Sequence, residues 1–271
     1  MNVTVREEGI LLLERAVVEP DAAIAALLTS MGYVDPLGNG SPPKLVFDVA
    51  AKANAADGSY SGQGTYIGSG ESLPHTDSSN FPMPHAHVAL ACVRAQRGSG
   101  GESMIVSAAS IAETLAKNEQ AKYLELLAEP IYPFMSGWRS SDEVVFAPVL
   151  WRDADRWATR YAPQLVTEGA GLHPIDAEHS AALAEFSQLT ASPDLITEFM
   201  MEPGDVLIID NRRWLHGRRE FDPESKRLLK RCKIYPLTAT TERQGLDHRS
   251  DTATCSNRQV IRSAIDSARS P

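Results

Sequence analysis

His75 and Asp77 stand two apart in LPHTD (Leu73–Asp77), so an extended backbone there turns an imidazole and a carboxylate to the same side. A further imidazole, His216, comes far downstream in IDNRRWLHGRR, just after the apolar run Val206–Ile209. Two histidines and one carboxylate fill three positions of an octahedron and leave three open, a donor set that suits a non-haem Fe(II) centre. An H-x-D pair alone is weak evidence, and the basic pair in RLLKR strengthens it. Arg227 and Arg231 are four apart, so on a strand both guanidinium groups face one way. A buried guanidinium is costly without an anion, and its planar fork matches a carboxylate in bidentate fashion. A dicarboxylate bound at the metal would supply that partner.

Such residues need strands to carry them. His87–Val93 alternates as a strand, Arg97–Gly101 (RGSGG) reads as a turn, and Met104–Val106 resumes as a strand. Leu45–Val49 is a short strand candidate, and EFMMEPGDVLIIDN and RLLKRCKIYPL read as strands flanking a polar loop. Pro20-Asp21 opens a helix that Gly32 stops. Ser107 and Ser110 precede helical residues Ala108–Lys117, Gln120–Ala128 is a second helical piece, and Asp176 opens another with Ala181, Leu183, Phe186 and Leu189 on one side. Residues 57–71 are rich in Gly and Ser and read as a loop, whereas 131–160 reads as short strands and loops. This order lacks regular βαβ alternation and fits a mainly β fold with flanking helices, an antiparallel double-sheet barrel.

No repeat or low-complexity linker divides the chain, so residues 1–271 read as one domain with an insert over about 131–165 and a polar C-terminal tail over about 240–271. Twenty-six Lys and Arg against 35 Asp and Glu leave a net charge of −9 with no basic block, which argues against nucleic acid and for a small-molecule partner. Cys92, Cys232 and Cys255 are odd in number, widely spaced and without a CxxC pattern, which argues against a disulfide framework or a thiolate zinc site. The apolar run Ile10–Leu13 is too short for a signal segment or a membrane span, so a cytoplasmic protein without membrane partners is expected. No heptad seam gives an oligomeric state.

The motifs together resemble the Fe(II)/2-oxoglutarate dioxygenases of the taurine dioxygenase and clavaminate synthase type. The resemblance rests on LPHTD, on GGES (Gly100–Ser103), and on PGDVLIIDNRRWLHGRREF (Pro203–Phe221) followed by RLLKR (Arg227–Arg231), which anchor residues 73–235. It implies a double-stranded β-helix, or jelly roll, with His75, Asp77 and His216 as the catalytic iron ligands. It also implies that Arg227 holds the distal carboxylate of 2-oxoglutarate and that Ser103 takes the place of a Thr that assists it. The cofactors implied are Fe(II), 2-oxoglutarate as cosubstrate, and O2. Related halogenases have Gly or Ala where this chain has Asp77, so the resemblance argues against halogenation; clavaminate synthase-like members often have Glu there.

The same resemblance implies hydroxylation of a small polar substrate, an amino acid or amino-acid-derived metabolite, in biosynthesis. Desaturation or cyclisation begins the same way, and a non-catalytic jelly-roll binding protein is the alternative outside enzymes. Arg231 is a candidate for a substrate carboxylate or a second cosubstrate contact. Ser78 and Asn80 follow His75 and Asp77 and, with Ser79, bind a polar substrate or make the turn; Arg160 belongs with Arg139, Asp142, Glu143, Trp151 and Tyr161 to the lid candidates. His85 and His87 read as ordinary strand or loop histidines, because no Glu follows to complete a cupin site. His173, His179 and His248 read as solvated, and Arg212, Arg213, Arg218 and Arg219 as cations serving Asp210, Glu220 and Asp222.

Overall fold

Alternation of side chains along Val206-Leu207-Ile208-Ile209 buries both faces of one strand and divides it between two cores. The computed structural model describes residues 2–7, 9–15, 33–34, 46–50, 68–118, 120–135 and 144–235. The helix expected over 21–32, the polar tail, Arg139, Asp142, Glu143, His248 and Cys255 lie outside them.

Seven strands form the larger sheet: β1 (Asn2–Glu7), β2 (Ile10–Glu14), β3 (Tyr33–Val34), β4 (Phe47–Ala50), β6 (His87–Arg94), β13 (Val206–Asp210) and β15 (Leu228–Tyr235). Their order is β1-β2-β13-β6-β15-β3, with β4 also on β15, and every pairing is antiparallel. The smaller sheet has the order β12-β7-β14-β5, from β5 (Ser72–His75), β7 (Ser103–Ser107), β12 (Thr197–Phe199) and β14 (Trp214–Arg218), also antiparallel. One apolar cluster joins Leu12, Cys92, Leu207 and Leu229 of the larger sheet to Ile105, Phe199 and Trp214 of the smaller, so the two sheets share a core.

The outer face of the smaller sheet is covered by helices. Val106 and Leu215 pack with residues of α1 (Ala108–Lys117), α2 (Ala121–Leu127), α3 (Pro163–Leu172) and α4 (Ala177–Thr190). Ser107 caps α1 by accepting from Ala109 N–H at 3.2 Å, and Asp176 caps α4 by accepting from His179 N–H at 3.0 Å. Two antiparallel strand pairs, β8 (Tyr132–Phe134) with β9 (Val145–Ala147) and β10 (Leu150–Asp153) with β11 (Arg156–Thr159), occupy the expected insert.

Several elements differ from the sequence reading. The stretch read as a polar loop contains β14, whose Trp214, Leu215, His216 and Arg218 are buried despite the arginines around them. Residues 10–14 form β2, and α3 was not expected because its two glycines lower helix propensity. Gly169 is there for packing: a Cβ at that position would meet Pro133 O at 2.1 Å.

Candidate metal centre

Register brings the two imidazoles together. His216 on β14 is paired directly with His75 on β5, and their ring centroids are 4.6 Å apart. Gly217 makes the approach feasible, since a Cβ there would lie 2.5 Å from Ser72 O. Asp77 follows β5, and the metal-ligating atoms of His75, Asp77 and His216 all lie within 4.8 Å of one another, each residue buried.

The loop after His75 is held on every side. Thr76 N–H donates to Tyr161 O at 2.6 Å, while Tyr161 N–H donates to Thr76 Oγ1 at 3.0 Å. Asn211, at the end of β13, accepts from Asp77 N–H at 2.8 Å and donates through Nδ2 to Asp77 O at 2.9 Å and His85 O at 2.8 Å. Ser78 takes a left-handed φ of 63°, uncommon for a residue with a side chain, and its Oγ pairs with His85 Nδ1 at 2.7 Å. His85 in turn stacks on Tyr235 at 4.3 Å between centroids.

The donor chemistry fits a divalent metal. His75 Nδ1 lies 2.8 Å from Leu73 O, so it donates there and the Nε2 lone pair faces Asp77 Oδ1 at 3.8 Å, too long for a hydrogen bond. His216 Nδ1 and Asp77 Oδ2 are buried without hydrogen-bond partners. Burial depresses both imidazoles, His216 to about 3, with the neighbouring His75 adding to its shift; they are therefore neutral, as ligands must be. Burial alone would raise Asp77, but Lys233 and Arg231, with His216 and His75 adding to them, together outweigh it and hold the carboxyl well below its usual range. Arg231 Nη1 is 3.6 Å and Lys233 Nζ 3.5 Å from Asp77 Oδ2.

The remaining expected residues are placed as follows. Arg227, just before β15, is buried, its Nη1 has no hydrogen-bond partner, and its guanidinium lies 5.4 Å from the Phe221 ring. Arg218 sits 4.5 Å from the same ring and donates to Gly68 O and Gly70 O. Ser103 is buried on β7, opposite Arg218. Asn80 is buried, and Arg160 Nη2 donates to Pro82 O at 3.3 Å. Arg212 Nε and Arg213 Nε lie 3.8 and 3.9 Å from the expected Asp210, Arg213 also bonds Asp153 at 2.6 Å, and Arg219 bonds Glu198 and Glu71 in place of the expected Glu220 and Asp222. His179 is buried, not solvated, because it closes the start of α4 against Asp176 and Glu129. Sequence reasoning passed over Asn211 and Lys233. Lys233 shares strand parity with Arg231, a signal that was present; a lone Asn after a strand gives none.

Residues 3–233 match the family described as Taurine catabolism dioxygenase TauD, TfdA. Gamma-butyrobetaine dioxygenase of Pseudomonas sp. (strain AK-1) is 29% identical over 228 residues, covering 82% of this chain and 55% of that protein. Clavaminate synthase 2 of Streptomyces clavuligerus is 28% identical over 151 residues, 55% of this chain and 44% of its own length. The chain thus spans about half the length of these curated relatives. A crystal structure of asparagine oxygenase with Fe(II), 2S,3S-3-hydroxyasparagine and succinate superposes with a TM-score of 0.63 at 19% identity, over 84% of this chain and 74% of that one. The non-heme iron oxygenase OrfP in complex with Fe gives 0.62 at 19% identity, over 92% and 79%. No helix among the described residues is long and apolar enough to cross a membrane.

Proposed function

The chain belongs to the Taurine catabolism dioxygenase TauD, TfdA family, and from that premise we propose that it is a single-domain, 2-oxoglutarate-dependent non-haem Fe(II) oxygenase with a double-stranded β-helix core. Its substrate is a small polar molecule, an amino acid or amino-acid-derived metabolite, hydroxylated at an unactivated C–H bond. The observation that carries this reading is the buried cluster of His75, Asp77 and His216, whose donor atoms lie within 4.8 Å of one another. Two facing antiparallel sheets with a shared core support the β-helix. The names of similar proteins, asparagine oxygenase and gamma-butyrobetaine dioxygenase among them, support the substrate class.

In this reading His75, Asp77 and His216 hold Fe(II). When bound, the metal couples oxidative decarboxylation of 2-oxoglutarate by O2 to oxidation of the substrate. The protein's own contribution is position. Leu73 O fixes the His75 tautomer, and Asn211 clamps the backbone of Asp77 on both its N–H and C=O sides. Arg231 and Lys233 keep Asp77 ionised. Arg227, with an N–H left without a partner in a buried site, takes the distal carboxylate of 2-oxoglutarate in its fork, and Ser103 assists. Ser78, Asn80, Arg160 and Arg231 belong to the substrate side, and the two Thr76–Tyr161 hydrogen bonds close the chain over the ligand loop and keep bulk water from it.

Anaerobic addition of Fe(II) and 2-oxoglutarate tests the proposal: a weak visible charge-transfer absorption is expected, and His75→Ala should abolish it. Succinate release stimulated by members of an amino-acid panel then identifies the substrate, and the product's mass separates gain of oxygen from loss of hydrogen. No absorption and no 2-oxoglutarate binding would refute the oxygenase reading.

A further inference from the structure

Arg213 stands in the turn between β13 and β14, just ahead of the strand that carries His216, and it is buried at 9% exposure. Its guanidinium reaches across to the β10–β11 pair. Nη2 bonds Asp153 Oδ2 at 2.6 Å, and Nη1 donates to Trp157 O at 2.9 Å. The backbone joins the same two segments, since Thr159 N–H donates to Arg212 O at 2.7 Å. One planar fork that engages a carboxylate on β10 and a carbonyl on β11 fixes the angle of the pair against the turn as well as its distance.

The strand gripped in this way leads to the other metal ligands. Just beyond β11, Tyr161 exchanges two hydrogen bonds with Thr76, the residue between His75 and Asp77. The stretch between has little slack, because Arg160 N–H and Thr159 Oγ1 both donate to Val149 O, at 3.0 and 2.9 Å. Arg213 is itself anchored: its N–H donates to Asp210 O at 3.0 Å, and its carbonyl accepts from Ala108 N–H at 2.9 Å at the start of α1. One side chain and one strand therefore tie the segment that carries His216 to the segment that carries His75 and Asp77.

We propose that Arg213 is a positioning residue for the metal centre: it braces the β10–β11 pair so that Tyr161 holds the ligand loop in register with His216. The proposal deepens the oxygenase reading and rests on its three metal ligands. Arg213 touches none of them and acts through Trp157, Asp153 and the chain that follows to Tyr161.

Anaerobic calorimetric titration of the full chain with Fe(II), and the ligand-field absorption of Co(II) bound in its place, test this. Arg213→Met should weaken Fe(II) binding by about tenfold or more and shift the Co(II) bands, as loss of an outer support for metal ligands does. Arg213→Lys, which reaches one acceptor but cannot fork to both, should recover part of the loss. Asp153→Ala should cause a smaller loss in the same direction, although the Asp153 side chain is half-exposed and an exposed ion pair of purely local effect would leave the metal untouched. Thr76→Val removes the hydroxyl that accepts from Tyr161 N–H, so in that background Arg213→Met should cost less affinity than in the wild type. A folded Arg213→Met protein with wild-type affinity and Co(II) spectrum would overturn the brace; if that variant does not fold, an Asp153→Ala protein with both unchanged does the same. Losses at Arg213 and Thr76 that simply add would also overturn it. A wild-type protein that binds Fe(II) but not 2-oxoglutarate defeats the oxygenase reading instead, so the two failures are distinct.

Discussion

Asn211→Ala is the sharpest test of how the ligand loop is held. The side chain is 1% exposed and makes three hydrogen bonds, two to the backbone of Asp77 and one to His85 O. Truncation leaves one N–H and two carbonyls without their partner in a buried place. At about 1–1.5 kcal/mol each, the loss amounts to about 3–5 kcal/mol. Because two of the three bonds fix a metal ligand, affinity for the metal should fall as well, by roughly 10–100-fold. Urea unfolding of the metal-free protein followed by circular dichroism reads the first quantity, and calorimetric titration with Fe(II) under anaerobic conditions reads the second. Asn211→Asp is the companion variant: it keeps the acceptor for Asp77 N–H but loses both donors and sets a charge against two carbonyls, so it should be no better than Ala. A loss under about 1 kcal/mol with unchanged metal affinity would show that the loop holds its own shape and that the clamp reasoning is wrong.

Gly217→Ala should destabilise the fold by about 1–3 kcal/mol and weaken metal binding, since its Cβ would drive β14 from β5 where His216 faces His75; thermal unfolding with and without metal checks both. Arg227→Met should raise the dissociation constant for 2-oxoglutarate by roughly 10–100-fold, with Arg227→Lys restoring part of the loss, as read by calorimetry. The metal-free protein should lose stability in mild acid. His75 and His216 have folded values below their ordinary 6.5, so protonation favours the unfolded chain; their contribution is complete above about pH 6.5 and is lost as pH falls toward the His216 value of about 3. A melting temperature that stays flat from pH 7.5 to 5 would refute the neutral-imidazole assignment.

The pieces legible in the sequence were those with local signatures. His75 and Asp77 announce themselves by a spacing of two, and Ser107 and Asp176 by their place before helical runs; these constraints act within a few residues. His216 was legible as a residue but not as part of a strand, because WLHGR is buried on both faces and shows no polar alternation, while flanking arginines suggest solvent. Arg212 and Arg213 meet the nearby Asp210, but Arg213 also reaches Asp153, and Arg218 the carbonyls of Gly68 and Gly70, far away in the chain. Lys230 and Lys233 look alike in KRCKIY, yet strand parity sends Lys230 to Asp48 at 2.7 Å and Lys233 to the metal cluster.

That parity explains why one strand serves two chemistries. On β15 the residues that share a face with Leu229 point into the core between the sheets, and here those positions include Arg231 and Lys233. Two cations in that place would cost stability against an apolar wall, and the fold retains them opposite a single carboxylate. The metal cluster comes from β5, β14 and the loop after β5, and the cations Arg231 and Lys233 beside it from β15 of the opposite sheet. Closure of the two sheets on their common core therefore sets the distance between the metal cluster and the β15 cations, and substitutions that shift the sheets should weaken metal binding before they unfold the protein.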